Sequence, residues 1–278
     1  WTYFDNKLIW RPRTKILKEF LNEDNFGFML CRQQKRLGFS NILVHRNISE
    51  SSYVSNRTSE IGYSFPLYIY SDSEQINIDR TQNRKSNIDL NLVRELLFNI
   101  GKYEWVDDHK NKKENNDKQV SPLDVSDYVY SILHSPKYRD TYKDFLREDF
   151  PRVPAVLNKE SFWKLVELGG KLRNLHLHED AEISKFSTKY SISGKNEVEN
   201  IRFENDKVWI NNTKYFEGVS KITWNFYIGG YQPAQKWLKD RKGKELNFED
   251  LTHYQKIIKS LEKTIEVMNK IDEVWNIN

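Results

Sequence analysis

Cysteine is almost absent from the sequence. With Cys31 alone among 278 residues, an internal disulfide is excluded and a reducing, cytoplasmic compartment is expected. Long hydrophobic runs are missing as well. No stretch approaches the ~18 apolar residues of a membrane span, so no membrane partner is expected. The opening "WTYFDNKLIW" lacks the basic start, apolar middle and small-residue exit of a signal peptide. Beginning on Trp1 rather than Met, the sequence reads as a piece of a longer protein. An excess of one charge is also lacking. The 44 Lys and Arg against 40 Asp and Glu leave a net charge of +4, so any nucleic-acid footprint has to be a local patch.

Catalytic motifs are missing too. There is no Asn/Asp/Ser-Pro-Pro-Tyr/Phe of an amino-methyltransferase, no Gly-x-x-x-x-Gly-Lys-Ser/Thr phosphate loop and no Gly-x-Gly-x-x-Gly turn. No Glu-x-Lys occurs, which removes half of a PD-ExK nuclease site, and no Gly-x-Ser-x-Gly elbow is present.

What the chain has is aromatics, 14% of its residues, which supply much of its apolar surface. The segments read as α+β. Residues 1–106 are strand-rich, with one helix placing Ile16, Leu17, Phe20 and Leu21 on a common face. Strands are expected in "NFGFMLCRQQ", "SNILVHRNIS" and "YSFPLYIYSD", the last confined by Pro66 to an edge or a strand start. Residues 107–120 hold "DDHKNKKENNDKQ", which reads as a charged, solvated loop. Residues 121–182 are helical, with Ser121-Pro122 and Ser135-Pro136 as helix starts and a third helix from Asn158. Their inward residues include Val125, Tyr128, Tyr138, Phe145 and Leu146. Residues 183–278 return to strands, with a hairpin turning at Asn205-Asp206, then close with a long helix capped by Asn247.

Several clusters carry possible chemistry. In "LHLHED", His176 and His178 with Glu179 and Asp180 could hold zinc or manganese if the stretch were a strand. On a helix the two imidazoles diverge by about 200°, and the preceding periodicity is helical, so a structural helix end is preferred and no metal is expected. "CRQQKR" offers Arg32, Gln33, Gln34, Lys35 and Arg36, the side chains that read guanine and adenine edges or hold phosphate, with a solvated loop as the alternative. His45, Arg46, Asn56 and Arg57 extend that half. "ISKFSTKYSISGK" is a candidate backbone-tracking strand through Lys185 and Lys189. "YIGGYQPAQKWLKDRKGK" reads as a strand end at Gly229-Gly230, then a short helix from Gln232-Pro233 anchored by Trp237 and Leu238. Lys236, Lys239, Arg241 and Lys242 are left for phosphate or for plain solvation.

Together these segments resemble the C-terminal specificity domain of type ISP and related fused restriction-modification enzymes. The resemblance is carried by "YFDNKLIW", "CRQQ", "FPLYIY", "YVYSILHSPKYRDTYKDFLREDFPRVP", "LVELGGKLRNLHL" and "YIGGYQPAQKWLKDRKGKELNFEDLTHYQKII", in that order. It spans nearly the whole chain as one recognition domain. It departs at Thr2-Tyr3, where the family pattern has Arg-Pro, and at Lys7, where it has Arg. The resemblance implies a non-catalytic module that reads a short double-stranded DNA sequence. The partner it implies is an N6-adenine methyltransferase module of the same polypeptide. S-adenosylmethionine, Mg²⁺ and possible ATP would belong to such upstream modules, with no cofactor in this chain. Two other classes stand beside it: a metal-dependent hydrolase using the His176/His178 cluster, and a protein-interaction module docking through the C-terminal helix.

Overall fold

The structure, a computed structural model, describes residues 14–21, 24–34, 42–52, 60–70, 84–190 and 194–275. Strands β1 (Gly27–Cys31), β2 (Ile42–His45) and β3 (Gly62–Pro66) form an antiparallel sheet in the order β2-β1-β3. Pro66 ends an edge strand, where its missing N–H leaves no ladder bond unmade. Alternation along β1 turns Phe28 and Leu30 onto one face and Met29 and Cys31 onto the other. Burial and the nearby Glu60 push the Cys31 thiol up to about 12, an unreactive setting.

The expected first helix is shorter than its periodicity. α1 (Thr14–Leu17) passes into a 3₁₀ turn, Lys18–Phe20, so only Phe20 of the proposed face is fully buried. Ile16 and Leu21 are exposed, because a face built on helical spacing is lost when the helix stops after one turn.

Residues 107–120 are largely exposed, as a charged loop should be, and are also strapped to the body of the fold. β4 (Tyr68–Tyr70) pairs with β5 (Arg84–Ser86), and β6 (Glu104–Trp105) runs parallel to β7 (Gln119–Val120). Asp108 takes a forked pair of hydrogen bonds from Arg84, at 2.6 and 2.7 Å, and that guanidinium lies 4.1 Å over the Tyr68 ring. Lys112 reaches Asp124 at 2.8 Å and sits over the Trp163 ring. A run without apolar residues is ordered here by charge partners elsewhere in the chain.

After α2 (Leu90–Leu96), α3 (Pro122–His134) and α6 (Lys159–His176) form the centre of the larger core. Both begin with reciprocal capping boxes, Ser121 with Asp124 and Asn158 with Ser161. They meet at Gly169, where an added Cβ would lie 1.8 Å from the Asp127 carbonyl oxygen. A forked Arg173–Asp127 pair, 2.7 and 3.2 Å, ties the helices beside that contact. Between them α4 (Pro136–Thr141) and α5 (Phe145–Glu148) are separate pieces, and the break turns Phe145 outward, against the expectation that it is buried.

The second core lies under an antiparallel sheet of β8 (Lys189–Tyr190), β9 (Arg202–Glu204), β10 (Lys207–Trp209) and β11 (Tyr215–Glu217), ordered β8-β11-β10-β9. Asn205 and Asp206, at φ 51° and 56°, make the expected two-residue turn between β9 and β10. The segment from Ile183 is not the long strand its alternation suggests. It is a 3₁₀ turn, Ala181–Ser184, followed by the two-residue β8. Nor do the glycines end a strand. After α7 (Lys221–Asn225), Gly229-Gly230 turns the chain between Ile228 and Tyr231, which bridge each other. α8 (Pro233–Lys239) follows, started by Pro233 and anchored by the fully buried Leu238.

α9 (Phe248–Val274) closes the molecule, with Asn247 and Asp250 as its capping box. Its first half gives Tyr254, Ile258 and Leu261 to the second core. Its last turns give Val267 and Ile271 to the first, followed by Trp275. The apolar stripe of this helix is thus consumed inside the chain, which removes the basis for reading it as a partner-docking helix.

Candidate nucleic-acid interface

A cleft of about 660 Å³ separates the β2 side of the first lobe from the α8 side of the second. One wall is Ile42, Leu43 and Val44 of β2, with Glu50 and Ser52 beyond it. The opposite wall is Tyr227 and Tyr231 around the Gly-Gly turn, then Lys236, Trp237 and Asp240. The floor is built from α3, α6 and α9.

The floor is polar but internally satisfied. The Tyr130 hydroxyl bonds His176 Nδ1 at 2.6 Å, and His176 Nε2 meets Thr264 Oγ1 at 2.9 Å. Thr264 gives its hydroxyl proton to the Ser260 carbonyl, so Nε2 must be the donor to Thr264. The ring is neutral, and Nδ1 an acceptor, because burial, with the Arg139 charge nearby, holds its pKa down to about 4. His134, bonded to the Tyr130 carbonyl at 2.8 Å, is held well below the ordinary range by burial first and by Arg139 second.

That wiring decides the "LHLHED" question. His176 ends α6 with both ring nitrogens engaged, while His178 stands beyond it at φ 60°. Glu179 is paired with Arg46, and Asp180 caps the next turn through Glu182 N–H. Among the described residues no group of three or more His, Cys, Asp or Glu is placed to hold a metal ion. The hydrolase reading loses its site.

The residues singled out in the sequence fall into distinct places. Arg32 is exposed and pairs with Asp149 at 2.9 Å, and Gln33 is exposed beside it. Gln34 is turned inward: it is 6% exposed, its N–H bonds Arg147 O and its amide reaches Leu146 O, docking the end of β1 on α5. Lys35, Arg36, Asn56 and Arg57 lie outside the described residues. His45 stacks on Phe20 at 4.4 Å and bonds Asn47 O at 2.8 Å, and burial lowers its pKa. Arg46 is committed to a forked bond with Glu179 at 2.6 and 3.1 Å.

Lys185 pairs with Glu182, and Lys189 is exposed on the edge strand β8; neither lines the cleft. Lys236 does, holding Asp240 at 2.6 Å one turn on. Arg241 lies 3.6 Å over the Trp237 ring and reaches Asp250 at 3.3 Å, with Lys242 exposed next to it. Lys236 on α8 thus lines the cleft, with Arg241 and Lys242 following in the turn just after that helix. Tyr227 and Tyr231 were missed in the sequence. The only signal for them was their placement on either side of a Gly-Gly turn.

At the other edge of the first sheet, β3 and α2 border an apolar groove of about 680 Å³. Leu92 and Phe65 on its rim are 62% and 43% exposed, and Asp89, Glu95 and Arg152 are its charged residues. The β2 edge thus faces Lys236 of α8 across the cleft, whereas the β3 edge borders an apolar surface.

A two-lobed α+β body with a cleft and basic residues beside it is the architecture of a binding module. The chain belongs to the Type ISP C-terminal specificity domain family, which matches residues 1–270. Its fold is similar to part of the ATP-dependent Type ISP restriction-modification enzyme LlaBIII bound to DNA, at TM-score 0.63 and 17% identity over 91% of this chain. It is also similar to the DrdV–DNA complex, at TM-score 0.62 and 17% identity over 95% of this chain. A nuclease-deletion mutant of the Type ISP enzyme LlaGI with a DNA substrate mimic gives TM-score 0.59 and 18% identity over 91%. The chain spans only 16%, 26% and 22% of those three, in the same order. No curated protein matches it.

Proposed function

We propose that this domain reads a short duplex DNA sequence for methyltransferase and nuclease modules of the same polypeptide. The observation that carries the reading is the family match over residues 1–270. Lys236 on the wall of a cleft lined by Tyr227, Tyr231 and Trp237, with Arg241 and the exposed Lys242 just after its helix, supports it. Lysines beside the cleft hold phosphates and set position, while the exposed Gln33, and Arg32 on exchanging its exposed pair with Asp149 for a base, read base edges. The target base is an adenine methylated at N6 by the other module, and S-adenosylmethionine, Mg²⁺ and ATP serve those modules rather than this chain. The compartment is the cytoplasm. No described helix is long and apolar enough to cross a membrane.

The test is selection from a randomised duplex pool, followed by titration of a selected and a scrambled duplex across salt. Lys236→Ala weakens both duplexes alike and flattens the salt slope by about one. Arg32→Ala instead shifts the selected sequence, with a discrimination loss of ~1–3 kcal/mol. If both variants retained the wild-type selection and slope, these residues would not be the contacts.

A further inference from the structure

The Arg46–Glu179 pair joins two segments that the sequence reading assigned to different chemistries, one to base contact and the other to a metal cluster. Taking the DNA-reading role above as its premise, we propose that Glu179 is a positioning residue for target discrimination. It latches Arg46, and so fixes the stretch after β2 at the cleft wall, without either side chain touching DNA.

The Glu179 side of the latch is rigid. α6 ends in a Schellman closure: His178 N–H bonds Leu175 O at 3.2 Å, and Glu179 N–H bonds Asn174 O at 2.8 Å. His178 takes the left-handed conformation, φ 60°, that this closure requires. The chain direction after α6 is thereby set, and Glu179 meets Arg46 across a separation of 133 residues.

The Arg46 side leads to the cleft. Arg46 follows β2 directly and also approaches the Asn25 carbonyl at 3.4 Å. Around it, His45 and Ser49 both bond the Asn47 carbonyl, and farther on Glu50 accepts from Ser52 N–H at 2.9 Å. Ser51 O receives the Gly62 N–H at 2.7 Å, tying the far end to β3. Glu50 and Ser52 line the cleft wall facing Lys236. Residues 45–52 are thus an internally bonded stretch held by a sheet at one end and the latch at the other.

Arg46 is held by two parallel bonds to Glu179, whereas Lys236 has one exposed contact to Asp240 a turn along its own helix, so Arg46 is the less available of the two to a phosphate. Releasing it to phosphate would leave the Glu179 carboxylate unpaired beside a polyanion. Holding position is the role that fits both partners.

The test uses the purified chain and the randomised duplex pool, with Arg46→Ala, Glu179→Gln, the double variant and the charge-exchanged Arg46→Glu/Glu179→Arg. Each single change is expected to lower enrichment of the selected sequence ~10-fold with the salt slope unchanged. The double variant is no worse than either single, and charge exchange restores enrichment, which a fold merely loosened by mutation would not do. Thermal unfolding of each variant provides the folding control. The latch is overturned if Arg46→Ala flattens the salt slope by about one while Glu179→Gln leaves enrichment intact, since Arg46 is then a direct phosphate contact. If the unaltered chain selects no sequence and ignores salt, the DNA-reading premise itself fails.

Discussion

His178 occupies a backbone position that glycine usually fills. Its φ of 60° places a Cβ where left-handed backbone is costly, by roughly 1–2 kcal/mol for a non-glycine residue. His178→Gly is therefore expected to keep or raise stability, by up to ~1 kcal/mol, in chemical denaturation; a clear loss would mean the imidazole contributes contacts that outweigh the strain. The neighbouring floor histidines govern the response to acid. His134 and His176 are both held neutral, by burial and by the Arg139 charge, so their folded values lie below the unfolded 6.5. A depressed value means the unfolded chain binds protons first. Stability is then complete above about pH 6.5 and falls as pH drops towards the folded values, by up to ~1.4 kcal/mol per unit for each histidine. Urea titrations across that window check it, and His176→Asn should make the decline shallower.

At the scale of elements, the contact of α3 with α6 is the most demanding. Gly169→Ala would place a Cβ 1.8 Å from a backbone oxygen, which cannot swing aside as a side chain does. The helices must part, and a loss of ~3 kcal/mol or more is expected in a denaturant melt. The hairpin of β9 and β10 goes the other way. Asp206 sits at φ 56° at the second turn position, so Asp206→Gly should stabilise by ~0.5–1 kcal/mol.

These elements also mark what the sequence reveals. Helix starts at Ser121, Asn158 and Asn247, and the turn at Asn205-Asp206, are written within about four residues and were legible. The Arg84–Asp108 strap, the inward Gln34 and the Arg46–Glu179 latch depend on residues 24, 112 and 133 positions away, and no local pattern encodes them. Much the same holds for the site. Lys236 and Arg241 were visible as basic residues, but nothing local showed that β2 faces them across a cleft.

For the whole molecule, the apolar groove and the exposed Phe98, 82% accessible, are a liability in isolation. Leu92→Glu with Phe98→Glu should reduce self-association in sedimentation and leave duplex affinity unchanged, because neither side chain lines the cleft. A fall in affinity would place the DNA contact on this face instead.

α9 has a final consequence. Its 27 residues run about 40 Å and belong to both cores in turn, so it acts as a shared beam rather than a lid on either lobe. Lobes bolted to one beam cannot hinge freely, and the cleft keeps its width before any ligand arrives. They should also melt together. A single calorimetric transition is expected, with amides in both halves of the helix exchanging at similar free energies. A proline at Glu262, midway along the beam, should split that transition in two.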